Sequence, residues 1–224
     1  MDNLAVDLFN YNIDIGLVCE TFFNSTHDLL SIDKYMIFRK NRIQHHGGGV
    51  AIFIKDPCRA SVIQNRESEF ELLWVHVEFS GFSIICGIVY HSPNLLYKYL
   101  DLLQQLEEDI VYFENHRKFD LILLGGDFNA IKQEDVIIYS GLKAVNKQPT
   151  RGKNTLDYIY TNINVWNNCY MAVACTFSDH KAIILHDDAT WFDSVDHKNK
   201  NKNKNNIKTK YNVVKTVVPT GAKD

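Results

Sequence analysis

The feature that most constrains the fold is DLILLGGDFN (residues 120–129), an apolar run that stops abruptly at a polar cluster. A short apolar run without polar alternation reads as a strand inside a covered sheet. Similar runs recur along the chain. DIGLVCE, YMIFR, GVAIFIK, TLDYIYTN, CYMAVAC and HKAIILHD all carry strand signals. GVAIFIK begins at the turn Gly47-Gly48-Gly49, and ELLWVHVEF and FSIICGIVYH, joined by Ser80-Gly81, read as a hairpin. LAVDLFNYN predicts a short amphipathic helix. A longer helix is predicted over 95–113, where Leu96, Leu103, Leu106, Ile110 and Phe113 recur at helical spacing. Strands partly in hairpins, with helices between them, point to a mixed α/β sandwich rather than a simple βαβ series.

Composition narrows the function classes. With 11 glycines and 4 prolines among 224 residues, collagen-like, mucin-like and wholly disordered chains are excluded. No apolar run approaches the roughly 20 residues that span a bilayer, and the acidic opening MDNLAVDLFNYN carries no signal-peptide pattern, so the expected location is intracellular, nuclear or cytoplasmic. Five widely spaced cysteines (Cys19, Cys58, Cys86, Cys169, Cys175) form no CxxC pair and read as reduced residues, not a disulfide framework or zinc ribbon.

The net charge of −3 argues at face value against a polyanion partner, but it is unevenly distributed. Residues 1–197 hold 16 Lys+Arg against 26 Asp+Glu, net −10, whereas residues 198–224 hold eight lysines and one acid, net +7. The expected division is a folded domain over 1–190 and a disordered Lys/Asn-rich tail over 191–224, either a solvated appendage or an electrostatic arm for nucleic acid.

Candidate chemistry lies at the strand ends. Glu20 closes DIGLVCE, Asp127 and Asn129 close DLILLGG, Asp157 lies in TLDYI, and Asp179-His180 open the last apolar run. Carboxylates with one Asn and one His, and no thiolate, suit a hard divalent cation such as Mg²⁺. An Asp-oriented His can transfer a proton or donate to a phosphate.

The motifs CET, VYHSPN, GDFN, PTRGKNTLDYIYTN and SDH, in that order, resemble the endonuclease/exonuclease/phosphatase superfamily. Within it, the likeness is to the apurinic-endonuclease-like domains of non-LTR retrotransposons, over roughly residues 4–187. The resemblance implies a four-layered α/β sandwich with two mixed β-sheets (deoxyribonuclease I-like), Mg²⁺ or Mn²⁺ as cofactor, DNA as partner, and no membrane association. It casts Glu20 and Asp179 as metal residues. Asp127 and Asn129 would position the attacking water, Tyr90 would contact the scissile phosphate, and Asp157 would orient His180. Ser178, Thr150 and Arg151 are expected near the substrate. Arg39 and Arg42 are phosphate contacts or solvated charges. His91 reads as an exposed loop histidine, with a second catalytic histidine as the alternative, and His45-His46 read as loop.

The family normally opens with an asparagine-bearing strand before the first helix. This chain starts inside that helix, so the first strand is expected to be missing and to leave unpaired backbone within a sheet. Three functions follow as expectations: a metal-dependent DNA endonuclease hydrolysing phosphodiester bonds, a phosphoesterase of the same superfamily acting on a non-DNA substrate, or a catalytically dead retroelement fragment.

Overall fold

Strands that are apolar on both faces need cover on both sides, and the chain supplies it with two stacked six-stranded sheets. The computed structural model describes residues 2–23, 31–42, 47–79, 81–93, 97–163, 170–175, 178–186 and 212–217. In chain order these form α1 (Asp2–Asn10), β1 (Ile13–Cys19), β2 (Tyr35–Lys40), β3 (Val50–Lys55), β4 (Arg59–Val62), β5 (Leu72–Phe79) and β6 (Phe82–Tyr90). There follow α2 (Tyr99–His116), β7 (Leu121–Asp127), α3 (Gln133–Ser140), β8 (Lys143–Ala144), β9 (Asp157–Thr161), β10 (Tyr170–Ala174), β11 (Lys181–His186) and β12 (Asn212–Val217).

The first sheet runs β10-β11-β12-β1-β3-β2 and the second β4-β5-β6-β7-β9-β8. Each is mixed: β1–β12 and β6–β7 are parallel, and the other pairs are antiparallel. Ile15, Leu17, Ile52, Ile54, Val75, Ile84, Cys86, Leu123 and Ile183 meet in one apolar cluster between the sheets. On the outer face of the first sheet, Leu4 and Leu8 of α1 pack on Ile13, Val18 and Phe53. Leu102, Leu103, Leu106, Ile110 and Phe113 of α2 cover Trp74, Ile85, Ile122 and Leu124 of the second sheet. Helix, sheet, sheet and helices make the four layers that the family resemblance implies. Period-two alternation decides the rest: odd positions of β7 face the inter-sheet core and even ones face α2.

Close approach fixes two glycines. A Cβ on Gly87 would lie 2.2 Å from the ring of Trp74, its cross-strand partner. One on Gly126, at φ 155°, would lie 1.9 Å from the Val89 carbonyl oxygen. The Trp74 indole in turn donates to buried Asp109 at 2.6 Å, which also accepts from Arg66 and Gln105 at 2.7 Å each, so this interior acid is compensated on the spot.

Two sequence expectations change here. The tail over 191–224 was expected to be disordered, yet Asn212–Val217 form a strand inside the first sheet. The unpaired backbone expected within a sheet is likewise absent beside β1, which pairs with β12 on one side and β3 on the other. The masking signal was compositional. VVKTVV (213–218) is rich in β-branched residues but follows a Lys/Asn run. No described helix is long and apolar enough to cross a membrane.

Candidate active site

Register builds half of the site. Tyr90 pairs with Asp127, and Asp127 pairs with Asp157, so three polar side chains stand abreast on β6, β7 and β9. Tyr90 shares its strand face with Ile84, Cys86 and Ile88, Asp127 with Leu121 and Leu123, and Asp157 with Ile159, all of the inter-sheet cluster. The row therefore points at the opposite sheet.

That sheet answers with two residues at its strand ends. Glu20 follows β1 and accepts a hydrogen bond from the Tyr90 hydroxyl. His180 precedes β11 and lies 2.8 Å, Nδ1 to Oδ2, from Asp157. Glu20 sits at φ 52°, and the next two residues are tied down when Thr21 and Phe22 N–H donate to the carbonyls of Gly49 and Gly48 at 3.2 and 2.9 Å. The Gly47-Gly48-Gly49 run thus seats the glutamate rather than merely preceding a strand. At Gly48 a Cβ would fall 2.5 Å from both Arg42 and Glu71.

The electrostatics are strained in one direction. Asp127 is buried, and its carboxyl is pushed up to about 7, first by burial and then by the facing Asp157 carboxylate; His180 and the Asn129 N–H pull the other way. For His180, burial works against the charged form. The hydrogen bond and charge of Asp157, together with Asp127 and Asp179, outweigh it and raise the pKa above the usual 6.5. Burial, then the Glu20 hydrogen bond, keep the Tyr90 phenol protonated far above its ordinary range.

Ligand oxygens of Asp127 and Asp157 and a ring nitrogen of His180 all lie within 4.8 Å of one another. Asp157 Oδ1 is buried with no hydrogen-bond partner among the described residues. Two crowded carboxylates, one with an orphaned oxygen, fit a hard divalent cation, and the Glu20 charge is near enough to add to the push on Asp127.

Other expected residues are placed as follows. Asn129, at φ 44°, donates its backbone N–H to Asp127 Oδ1 at 3.0 Å and its side-chain amide to the His91 carbonyl at 2.8 Å. Ser178 Oγ accepts from the His180 N–H at 3.0 Å, shaping the turn that presents the imidazole. Asp179 is 44% exposed, ion-paired to Arg151 at 2.7 Å and 4.0 Å from His180 Nε2, so it borders the cluster instead of entering it. Arg42 is paired with Glu71 and lies over the Tyr90 ring at 5.6 Å, whereas Arg39 lies over Phe23 at 5.9 Å.

Thr150, expected near the substrate, is buried, and its hydroxyl accepts from Leu156 N–H (3.0 Å) and Asp157 N–H (3.1 Å), tying its loop to the start of β9. One reading is corrected. His91, read as an exposed loop residue, is 2% exposed. Burial lowers its pKa to about 4, and the neutral ring lies 3.3 Å from the Tyr97 hydroxyl. His45-His46 lie outside the described residues. Sequence reasoning also passed over Glu71, which accepts from Arg42 and from the Gly49 N–H; a lone acid before an apolar strand carries no local signal for that role.

Comparison with known proteins agrees with this fold. Residues 1–180 match the model of the endonuclease/exonuclease/phosphatase family. Similar solved structures include the endonuclease domain of TRAS1, a telomere-specific non-LTR retrotransposon: 14% identity, 81% of this chain and 89% of that one covered, TM-score 0.63. Another is TDP2 of D. rerio complexed with a single-strand DNA product: 14% identity, 81% and 88% covered, TM-score 0.57. A third is the human nocturnin catalytic domain with a bound sulfate anion: 16% identity, 81% and 77% covered, TM-score 0.52. At these identities the likeness is one of fold. No curated protein sequence matches the chain.

Proposed function

The chain belongs to the endonuclease/exonuclease/phosphatase family, whose members are hydrolytic nucleases and phosphodiesterases, and from that premise we propose that it is a metal-dependent DNA endonuclease of the retrotransposon type. The observation that carries the reading is the Tyr90–Asp127–Asp157 row faced by His180 and Glu20 from the opposite sheet.

Asp127, its carboxylate fixed by the Asn129 N–H and pushed up to about 7 by burial and Asp157 while no metal is bound, is placed to accept a proton from an attacking water. Asn129, its amide fixed on the His91 carbonyl, orients that water and the phosphate beside it. Asp157 at Nδ1 fixes the His180 tautomer and favours the imidazolium, so Nε2–H is the donor turned to the phosphoryl oxygens. Tyr90, kept protonated, offers its hydroxyl to the same phosphate once it leaves Glu20. Mg²⁺ or Mn²⁺ held by Asp127 and Asp157, with Glu20 and Asp179 at its margin, would neutralise phosphoryl charge and acidify a bound water. Arg151 beside Asp179, Arg42 over Tyr90 and Ser178 at the turn before His180 would supply phosphate contacts, with Arg39 on β2 as a further one. DNA as substrate is supported by the fold likeness to a retrotransposon endonuclease domain and to a DNA-bound TDP2.

The test is plasmid nicking in Mg²⁺ and in Mn²⁺ by the wild type, Asp127→Ala and His180→Ala, beside hydrolysis of an inositol phosphate. Nicking by the wild type, reduced about 100-fold or more in both variants, supports the proposal. Hydrolysis of the inositol phosphate without nicking would transfer the site to a non-DNA substrate, and equal inertness of all three proteins would end the enzyme reading.

A further inference from the structure

The strands that present the two residues of the first sheet never pair with each other. Glu20 follows β1 and His180 precedes β11, and in the sheet order β12 stands between them. Without β12 that sheet would fall into a three-strand piece, β1-β3-β2, and an isolated β10–β11 pair carrying His180. A lone two-stranded pair is marginal in water. Among the described residues, β11 would keep the packing of Ile183 and Leu185 between the sheets and of Ile184 in the cluster under α1, the Lys181 N–H to Thr150 carbonyl bond at 2.7 Å and the His180–Asp157 contact.

The register of β12 is suited to alignment. Its pairing skips Val214 against both neighbours: Ile15 and Gly16 face Val213 and Lys215, and so do Leu185 and Ile184. A bulge common to both ladders pins the strand against sliding. Beyond it, Lys215, Thr216 and Val217 pair without interruption with Gly16, Leu17 and Val18, ending two residues short of Glu20. On the other side, Thr216 faces Ile183, three residues past His180. The twenty-five residues between His186 and Asn212 far exceed what a simple antiparallel turn needs. β12 is therefore a separately delivered strand rather than the return arm of a tight hairpin.

We propose that Asn212–Val217 is a positioning strand for the active site, docked from the chain's own basic tail, which sets the separation of Glu20 and His180 by bridging β1 and β11. This rests on the endonuclease reading for its functional consequence but not for its structural one. A proline inside a central strand removes a ladder bond to one neighbour or the other, so Thr216→Pro in the full chain is the perturbation. Asn205→Pro, outside the strand, is the control. Three readouts apply: amide exchange of β1, β11 and β5–β7, affinity for Mn²⁺ alone, and light scattering for mass.

Thr216→Pro should speed exchange in β1 and β11 at least tenfold while β5–β7 keep their protection. It should also weaken Mn²⁺ binding about tenfold, and a synthetic peptide of residues 209–221 added in trans should restore both. If proline unfolds the chain, Thr216→Gly, which retains the donor, gives the same pattern at smaller amplitude. Unchanged exchange in β1 and β11, or no response to the peptide, overturns the proposal. A dimeric wild type that turns monomeric in Thr216→Pro overturns the intrachain assignment. A wild type with protected β1 and β11 that neither binds Mn²⁺ nor nicks DNA would defeat the endonuclease reading while leaving the strand in place.

Discussion

Replacing Asp127 by Asn should stabilise the metal-free protein while disabling it. The carboxyl is buried against Asp157, and its pKa rises from 3.8 to about 7. Between those values the folded protein holds a proton that the unfolded chain has released, so stability falls as pH rises through this window and the loss is complete above pH 7. At about 1.4 kcal/mol per pH unit the accumulated cost reaches roughly 4 kcal/mol at pH 8, against 1–2 kcal/mol at pH 5. The amide removes the charge but keeps an oxygen for the Asn129 N–H. In EDTA, Asp127→Asn should therefore melt above the wild type by about 10 °C at pH 8, with the gap shrinking to a few degrees at pH 5. Adding Mg²⁺ or Mn²⁺ at pH 8 should lift the wild type alone and close the gap. Differential scanning fluorimetry at both pH values checks it. A gap independent of pH, or a variant less stable than the wild type in EDTA at pH 8, would show that Asp127 and Asp157 do not crowd one another as described.

Thr150→Val strands the N–H groups of Leu156 and Asp157 and should cost about 1–3 kcal/mol by urea unfolding. Nicking should fall as well, since the tie holds the start of β9 at Asp157. Gly126→Ala drives a Cβ against the Val89 carbonyl and should destabilise by at least about 3 kcal/mol or prevent folding, read from soluble yield and the thermal transition. Replacing Lys198, Lys200, Lys202, Lys204, Lys208 and Lys210 by Gln should lower the slope of log affinity for DNA against log salt. An unchanged slope would remove the tail from the DNA interface.

The layers were legible because apolar strands without alternation must be covered on both sides, and DLILLGGDFN did become the buried strand β7. The ends of these strands located the site for the same reason: a strand that must stay apolar inside the sandwich turns polar only at its end, as at Asp127 and Asp157, even though both stay buried. What stayed hidden depends on partners distant in sequence. Thr150 carries a hydroxyl with no local sign of its bond to the Asp157 N–H. His91 reads as loop until Tyr97 closes over it. The short α3, QEDVIIYS, has no clean apolar face and ends at Gly141 in the left-handed conformation, a signal visible only once the helix is known. β12 was missed because its neighbours lie almost two hundred residues away for β1 and beyond a lysine-rich run for β11.

The central claim is that the Asp157–His180 pair, one residue from each sheet, works as a single unit on a phosphodiester. The most direct test is a double-mutant cycle in plasmid nicking with the wild type, Asp157→Asn, His180→Ala and the double variant. The account predicts that the double variant loses less than the product of the two single losses, because the carboxylate acts on the reaction in part through the ring it holds and in part through the metal. Independent losses that multiply in the double variant would contradict it.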